Sequence, residues 1–206
     1  MIQITGVVSG NLQVNCYIVY DVNLKKAIII DPGEQAQKVI NKIETLNLQP
    51  ELLINTHGHF DHIFSDDIVR EKYNIPLAIF KDDVEMLSDS NLNLSQYMDN
   101  PITIKQADII FDKEEVKETS FCKYKVIHTP GHSKGSICIL IDDILFSGDT
   151  VFKYSIGRTD LPDGNYNELM QSLEKIKKLS KNITIYPGHG PVTTLKEELE
   201  NNPYFK

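Results

Sequence analysis

The chain has 206 residues, 41% apolar and 24% charged, with a formal net charge of -8. That is the mix of an ordinary globular protein long enough to bury a sizeable core. The acidic balance argues against nucleic acid or an anionic membrane as partner, since phosphate binding is largely a Lys/Arg effect, and no apolar run is long enough to span a bilayer.

The opening residues Met1 to Gly6 lack the basic-then-apolar pattern of a leader. Leu12, Val14, Cys16, Ile18 and Tyr20 alternate with mostly polar neighbours, the period of a half-buried strand. Ala27 to Ile30 predicts a second strand, stopped by Asp31-Pro32-Gly33. Val39, Ile40, Ile43 and Leu46 keep helical spacing over 35–46. A strand over 51–55 then runs into Thr56-His57-Gly58-His59-Phe60-Asp61-His62, where Asp61 is expected to cap a helix over 62–73. A short strand over 76–80 and a short helix over 82–87 lead to residues 89–106, which read as a long loop. A solvated loop is the plainer reading, although Tyr97 and Met98 could cover a pocket, since loops of this length are usually functional or mobile.

The second half is strand-rich, over 109–111, 123–128, 136–141 and 143–147. A helix over 166–180 sets Leu169, Leu173, Ile176 and Leu179 on one face, and a strand over 183–186 and an acidic helix near 194–200 follow. No linker composition divides the chain, so one layered α/β sandwich domain over 1–206 is expected. Cys16, Cys122 and Cys138 lie far apart with no C-x-x-C spacing. They are expected to be reduced thiols in a cytoplasmic protein, with Cys16 and Cys138 buried.

Three imidazoles and a carboxylate at the end of a buried strand need a reason, because unpaired polar groups beside a core are costly. A metal ion is the simplest. Three later segments share the plan: an apolar strand, a glycine turn, then a donor. They are Val126 to His132 through Thr-Pro-Gly, Ile144 to Asp149 through Ser-Gly, and Ile183 to His189 through Tyr-Pro-Gly. Ligands gathered beyond the carboxyl ends of strands are the usual placement of α/β sites. The candidate donors are therefore His57, His59, Asp61, His62, His132, Asp149 and His189. Imidazole and carboxylate without thiolate suit zinc, and also iron or manganese. Seven donors exceed one tetrahedral ion and suit two divalent ions with a shared carboxylate. The remaining histidine, His128, sits on the strand side of its turn and fits packing better than ligation.

The order His-x-His-x-Asp-His, Gly-His, Gly-Asp, Gly-His resembles the metallo-β-lactamase fold superfamily. Thr129-Pro130-Gly131-His132-Ser133, Ser147-Gly148-Asp149-Thr150-Val151-Phe152, Ile156 to Pro162 and Pro187-Gly188-His189-Gly190-Pro191 look like the small glyoxalase II type hydrolases. The resemblance implies a four-layer αββα sandwich with the site at one edge. It also implies His57, His59 and His132 on one metal, Asp61, His62 and His189 on the other, and Asp149 bridging. The extra C-terminal helical domain that helps such enzymes hold glutathione is not expected in the stretch after His189, which reads as one short helix.

The reaction expected is hydrolysis of a small-molecule thioester, S-lactoylglutathione or a related acyl thioester. Two dications lower the pKa of a bridging water toward neutrality, and the resulting hydroxide would attack the carbonyl. Asp61 would orient it, which makes Asp61 the catalytic candidate. Asp31 fits two roles equally, a hydrogen bond to a ligand histidine or a simple turn former. Arg158 fits a substrate carboxylate or an internal ion pair with Asp160 or Asp163, and Lys153 and Tyr154 are further substrate-contact candidates. Rival readings are a single-iron persulfide dioxygenase, which shares Gly-Arg-Thr-Asp, and a lactonase. A nuclease, a β-lactamase and a closed structural metal module fit less well.

Overall fold

A computed structural model describes residues 1–206. Its strands fall into two six-stranded mixed sheets. The first runs in chain order through β1 (Ile2–Ser9), β2 (Val14–Asp21), β3 (Lys26–Ile30), β4 (Gln49–Ile54), β5 (Leu77–Phe80) and β6 (Ile109–Phe111). β1 to β3 pair antiparallel, whereas β3 to β6 pair parallel through crossovers. Helices α1 (Ala36–Thr45), α2 (Phe60–Ile63) and α3 (Asp66–Tyr73) fall in those crossovers.

The second sheet is built from β7 (Glu115–Glu118), β8 (Lys123–His128), β9 (Ile137–Ile141), β10 (Ile144–Gly148), β13 (Thr184–Pro187) and β14 (Thr193–Thr194). Its spatial order is β14-β13-β10-β9-β8-β7. A small hairpin, β11 (Val151–Phe152) and β12 (Ser155–Ile156), follows β10. Helices α4 (Tyr166–Lys177) and α5 (Leu195–Asn201) flank β13 and β14 in the chain.

The period of two in a strand decides the layering. In β2, Cys16, Ile18 and Tyr20 join an apolar cluster with Val39 and Ile43 of α1 and Val69 of α3. Their neighbours Tyr17 and Val19 join a second cluster with Val126, Ile139 and Phe146 of the other sheet. Ile29 and Leu53 fall in the first cluster; Ile28, Ile30, Leu52 and Ile54 fall in the second. In the second sheet the alternate residues Ile127, Cys138, Leu145 and Ile185 meet Leu173 and Ile176 of α4 and Leu195 of α5. Three apolar interfaces therefore separate four layers, helix, sheet, sheet, helix, which is the αββα sandwich expected. Each such fully buried aliphatic side chain contributes about 1.5–3 kcal/mol of transfer free energy. Cys16 and Cys138 are buried within these layers and all three cysteines are free thiols. No helix is long and apolar enough to cross a membrane.

Most expected elements are present within a residue or two, and three features differ. β1, β7, β14 and the β11–β12 hairpin were not anticipated: β1, β7 and β14 are edge strands, whose exposed positions lose clean alternation, and β11, β12 and β14 have only two residues each. Asp61 is not a cap: α2 begins after His59, Asp61 lies within its first turn, and α3 follows as a separate helix. Segment 89–106 is a loop with many exposed residues, as expected, but it is anchored rather than simply solvated. Asn93 and Ser95 are fully buried in it, and the Asn93 side chain donates to the Met86 and Ile102 carbonyls.

Candidate metal centre

The strand ends converge at one edge of the sandwich. β3 delivers Asp31, β4 delivers His57 to His62, and the turns after β8, β10 and β13 deliver His132, Asp149 and His189. Backbone bonds stitch the two sheets together there. Ile137 N–H donates to the Thr56 carbonyl at 2.9 Å and Asn15 N–H to the Gly188 carbonyl at 2.7 Å. Two turns depend on glycine. Gly131 has φ +134° with Leu169 backbone where a Cβ would go, and a Cβ at Gly188 would run into the Asp149 carboxylate.

All seven expected donors come together. Their donor atoms form three overlapping groups, each within 4.8 Å: His57, His59 and His132; Asp61, His62 and His189; and His57, His62 and Asp149. His59 Nδ1 and His132 Nε2 are 2.9 Å apart. Asp61 Oδ2 lies 3.3 Å from His189 Nε2. Asp149 reaches both of the other groups: its Oδ2 is 3.5 Å from His132 Nε2 and 3.5 Å from His189 Nε2. Its Oδ1 is 3.4 Å from His62 Nε2.

The far ring nitrogens are held by the chain. His62 Nδ1 donates to Asp31 Oδ2 at 3.0 Å, His132 Nδ1 to the Arg158 carbonyl at 2.8 Å, and His189 Nδ1 to the Leu12 carbonyl at 2.9 Å. His57 Nδ1 is 3.2 Å from Thr56 Oγ1, whose hydroxyl donates in turn to Asp31. Each bond sets a tautomer that leaves the other nitrogen's lone pair free. His57 Nε2, His62 Nε2 and Asp149 Oδ1 are buried with no hydrogen-bond partner. Such orphaned atoms cost about 1–3 kcal/mol each, and they belong to the one mutually close group. A cation there would satisfy all three, so the residues fit a metal, and the clusters are consistent with a binuclear site.

Electrostatics separate His57 and His59 from His62 and His189. Burial, and then the neighbouring imidazoles, hold His57 well below its ordinary value; burial and His132 bring His59 down to about 3. For His62 burial acts in the same direction, but Asp149, Asp61 and Asp31 outweigh it and raise the group well above normal. His189 is raised despite burial by its contact with Asp61 and the charge of Asp149. Burial would raise Asp149 too, yet His62 and the other imidazoles pull it far below the usual carboxylate range.

The cluster floors a cavity of about 950 Å³. Arg158 and Asp160 line it, as do Phe60, Leu161 and the loop residues Leu94, Tyr97 and Met98. The Arg158 guanidinium makes a bidentate pair with Asp160 at 2.7 and 2.8 Å. Lys153 and Tyr154, expected as substrate contacts, are not in the lining. The hairpin carrying them turns toward α5, where the Tyr154 hydroxyl bonds Glu197 and its N–H bonds Glu198. His128 is outside the cluster, its ring stacked on Phe80 and bonded to the Lys134 carbonyl.

The family model of the metallo-β-lactamase superfamily matches residues 9–189. The chain belongs to that superfamily. Among superfamily members, the hydroxyacylglutathione hydrolase GloC of Haemophilus influenzae is 33% identical over 93% of this chain and 92% of its own length. The crystal structure of the BLEG-1 B3 metallo-β-lactamase superposes with a TM-score of 0.95 at 36% identity, covering 98% of this chain and 99% of that one. TTHA1623, solved in a di-iron-bound form, superposes with a TM-score of 0.83 at 30% identity, covering 97% and 99%.

Sequence reasoning missed one residue that organises the superfamily site here. The buried Asp83 carboxylate accepts from Gly58 N–H at 2.9 Å, Ser133 Oγ at 2.6 Å and Gly135 N–H at 2.6 Å. It thereby ties the His57/His59 loop to the His132 loop. Asp83 sits in a 3₁₀ turn, Lys81–Leu87, beside the exposed Asp82, and nothing in the local pattern separates the two. The small polar run Ser133 to Ser136 was the available hint, since so many donors need a buried acceptor.

Proposed function

We propose that this chain is a metal-dependent hydrolase of acyl thioesters, similar in reaction to hydroxyacylglutathione hydrolases. The observation that carries the reading is two donor groups joined by one carboxylate, Asp149, on the floor of an open cavity. In this reading His57, His59 and His132 hold one divalent ion, Asp61, His62 and His189 a second, and Asp149 both. Zinc is the first choice, and iron or manganese suit the same donors, as the di-iron form of the similar TTHA1623 illustrates. When bound, the ions supply an acidified water and a Lewis acid for the carbonyl.

The chain's residues do the rest. The lining offers no serine, threonine or cysteine as nucleophile, which supports water in that role. Asp61 faces the cavity and orients the water. The water oxygen bonds to the acyl carbon, the C–S bond breaks, and the thiolate leaves and takes up a proton. Thiolate is a good leaving group and needs no strong general acid. The partner in this reading is a small thioester, not nucleic acid or a membrane surface.

A second reading, β-lactam hydrolysis, is favoured by the likeness to BLEG-1. One panel on metal-analysed protein separates the readings: lactoylglutathione, a non-glutathione thioester, a homoserine lactone, a β-lactam, and glutathione persulfide with oxygen monitored. Thioester cleavage that is lost on chelation and restored by metal is expected. Cleavage of the lactone or the β-lactam alone would sink the proposal.

A further inference from the structure

We infer that the cavity selects thioesters whose thiol arm is apolar and uncharged, in preference to a glutathione-like thiol. This inference rests on the thioester reading above. The first ground is charge. A glutathione arm carries two carboxylates, which a site would normally meet with arginine or lysine. The one cationic side chain in the lining other than histidine, Arg158, is paired with both oxygens of Asp160, and because the two side chains are 63% and 70% exposed a substrate carboxylate competes with that pair for a gain of at most about fivefold in affinity. A carboxylate arriving at Arg158 would exchange one partner for another and leave Asp160 beside it as a like charge. Neither Lys134, which pairs with Asp163 at 2.7 Å, nor Lys153, which lies over the Tyr154 ring, is in the lining.

The second ground is the wall. Leu94, Tyr97 and Met98 face Leu12, Phe60 and Leu161 around the cavity. Leu94 is a non-glycine residue at φ +69°, a conformation that costs free energy and persists only when its surroundings impose it. Buried Asn93 imposes it: its side chain clamps the Met86 and Ile102 carbonyls, accepts the Ser95 N–H, and its carbonyl accepts Phe60 N–H. The loop is thus fastened to the helix that carries Asp61 and His62, and it presents apolar side chains to the substrate. Such a wall binds an apolar arm by removing it from water.

The test uses the metal-loaded protein and two non-hydrolysable thioethers, S-propylglutathione and benzyl propyl sulfide, with binding measured by calorimetry. The matching lactoyl thioesters of glutathione and benzyl mercaptan are then assayed for turnover. The benzyl compound is expected to bind about tenfold more tightly, the low end of what burying a phenyl ring contributes, and kcat/KM is expected to follow. Asp160→Ala, which releases Arg158, is expected to improve binding of the glutathione compound about fivefold. Equal or tighter binding of S-propylglutathione by the unmodified protein, no binding of either compound, or no gain in the variant would overturn the inference. Binding of the benzyl compound with no turnover of either thioester would overturn the hydrolase reading and leave the arm preference standing.

Discussion

The two donor groups are chemically alike but held in opposite ways. His57, His59 and His132 are almost wholly buried, contain no carboxylate, and are spaced by Asp83 from beneath. Asp61, His62 and His189 lie among carboxylates, and His189 keeps 25% of its side chain exposed at the cavity. Burial favours neutral imidazole at His57 and His59, whereas at His62 and His189 the neighbouring carboxylates outweigh burial and favour positive charge. The inner group, His57, His59 and His132, is thus pre-formed as a set of lone pairs, and the outer group, Asp61, His62 and His189, is a seat for a cation that protons occupy in its place.

Removing the link between the groups should have the largest effect. Asp149→Ala is expected to lose both ions, with kcat/KM lower by about a thousandfold or more; two ions per chain by elemental analysis would break the comparison. Asp83→Ala strands two N–H groups and a hydroxyl and should cost about 2–4 kcal/mol in unfolding free energy. Its metal loss should fall on the inner group, so the variant retains one ion, and Asp83→Asn should recover part of the stability in thermal unfolding. His189→Ala should also leave one ion, but with a smaller loss of unfolding free energy, about 1 kcal/mol, because the side chain is a quarter exposed at the cavity and its one hydrogen bond is to the Leu12 carbonyl. Equal destabilisation by Asp83→Ala and His189→Ala would erase the difference between the groups.

The smallest expected effect concerns the acidic surroundings behind the outer group. Asp66 is fully buried with Oδ2 unpartnered, and burial raises its carboxyl well above 3.8 despite the hydrogen bond from Asn55. A carboxyl raised in the folded state binds more protons folded than unfolded, so its penalty grows as pH climbs from the unfolded value through the folded one. Asp66→Asn should therefore stabilise by about 1 kcal/mol more at pH 8 than at pH 4 in denaturant titrations. A pH-independent difference would contradict this.

The inner and outer groups were equally legible in the sequence, because metal donors declare themselves by residue type and each follows an apolar strand with glycine beside it. Sheet layering was legible wherever a strand is buried on both faces, as in Ala27 to Ile30, and failed at β1 and β7, where one edge faces water. What holds the donors was not legible. Leu12 and Arg158 act through backbone carbonyls, to which side-chain identity is irrelevant. Asp83 acts across fifty positions on Ser133. Asp31 was readable as a turn or as a histidine partner; it is both, with φ +49° and its carboxylate shared by Thr56 and His62.

The bond from His189 to the Leu12 carbonyl spans 177 positions, and Tyr17 and Asn15 reach the Pro187 carbonyl over a similar span. Contacts between parts of a chain so distant in sequence form slowly, since a large loop must close before any of them gains. The outer half of the site therefore cannot exist until nearly the whole chain has folded. An ion held by His189 would join the first hairpin to β13 and would act as a clasp on the topology, slowing unfolding from the ends inward.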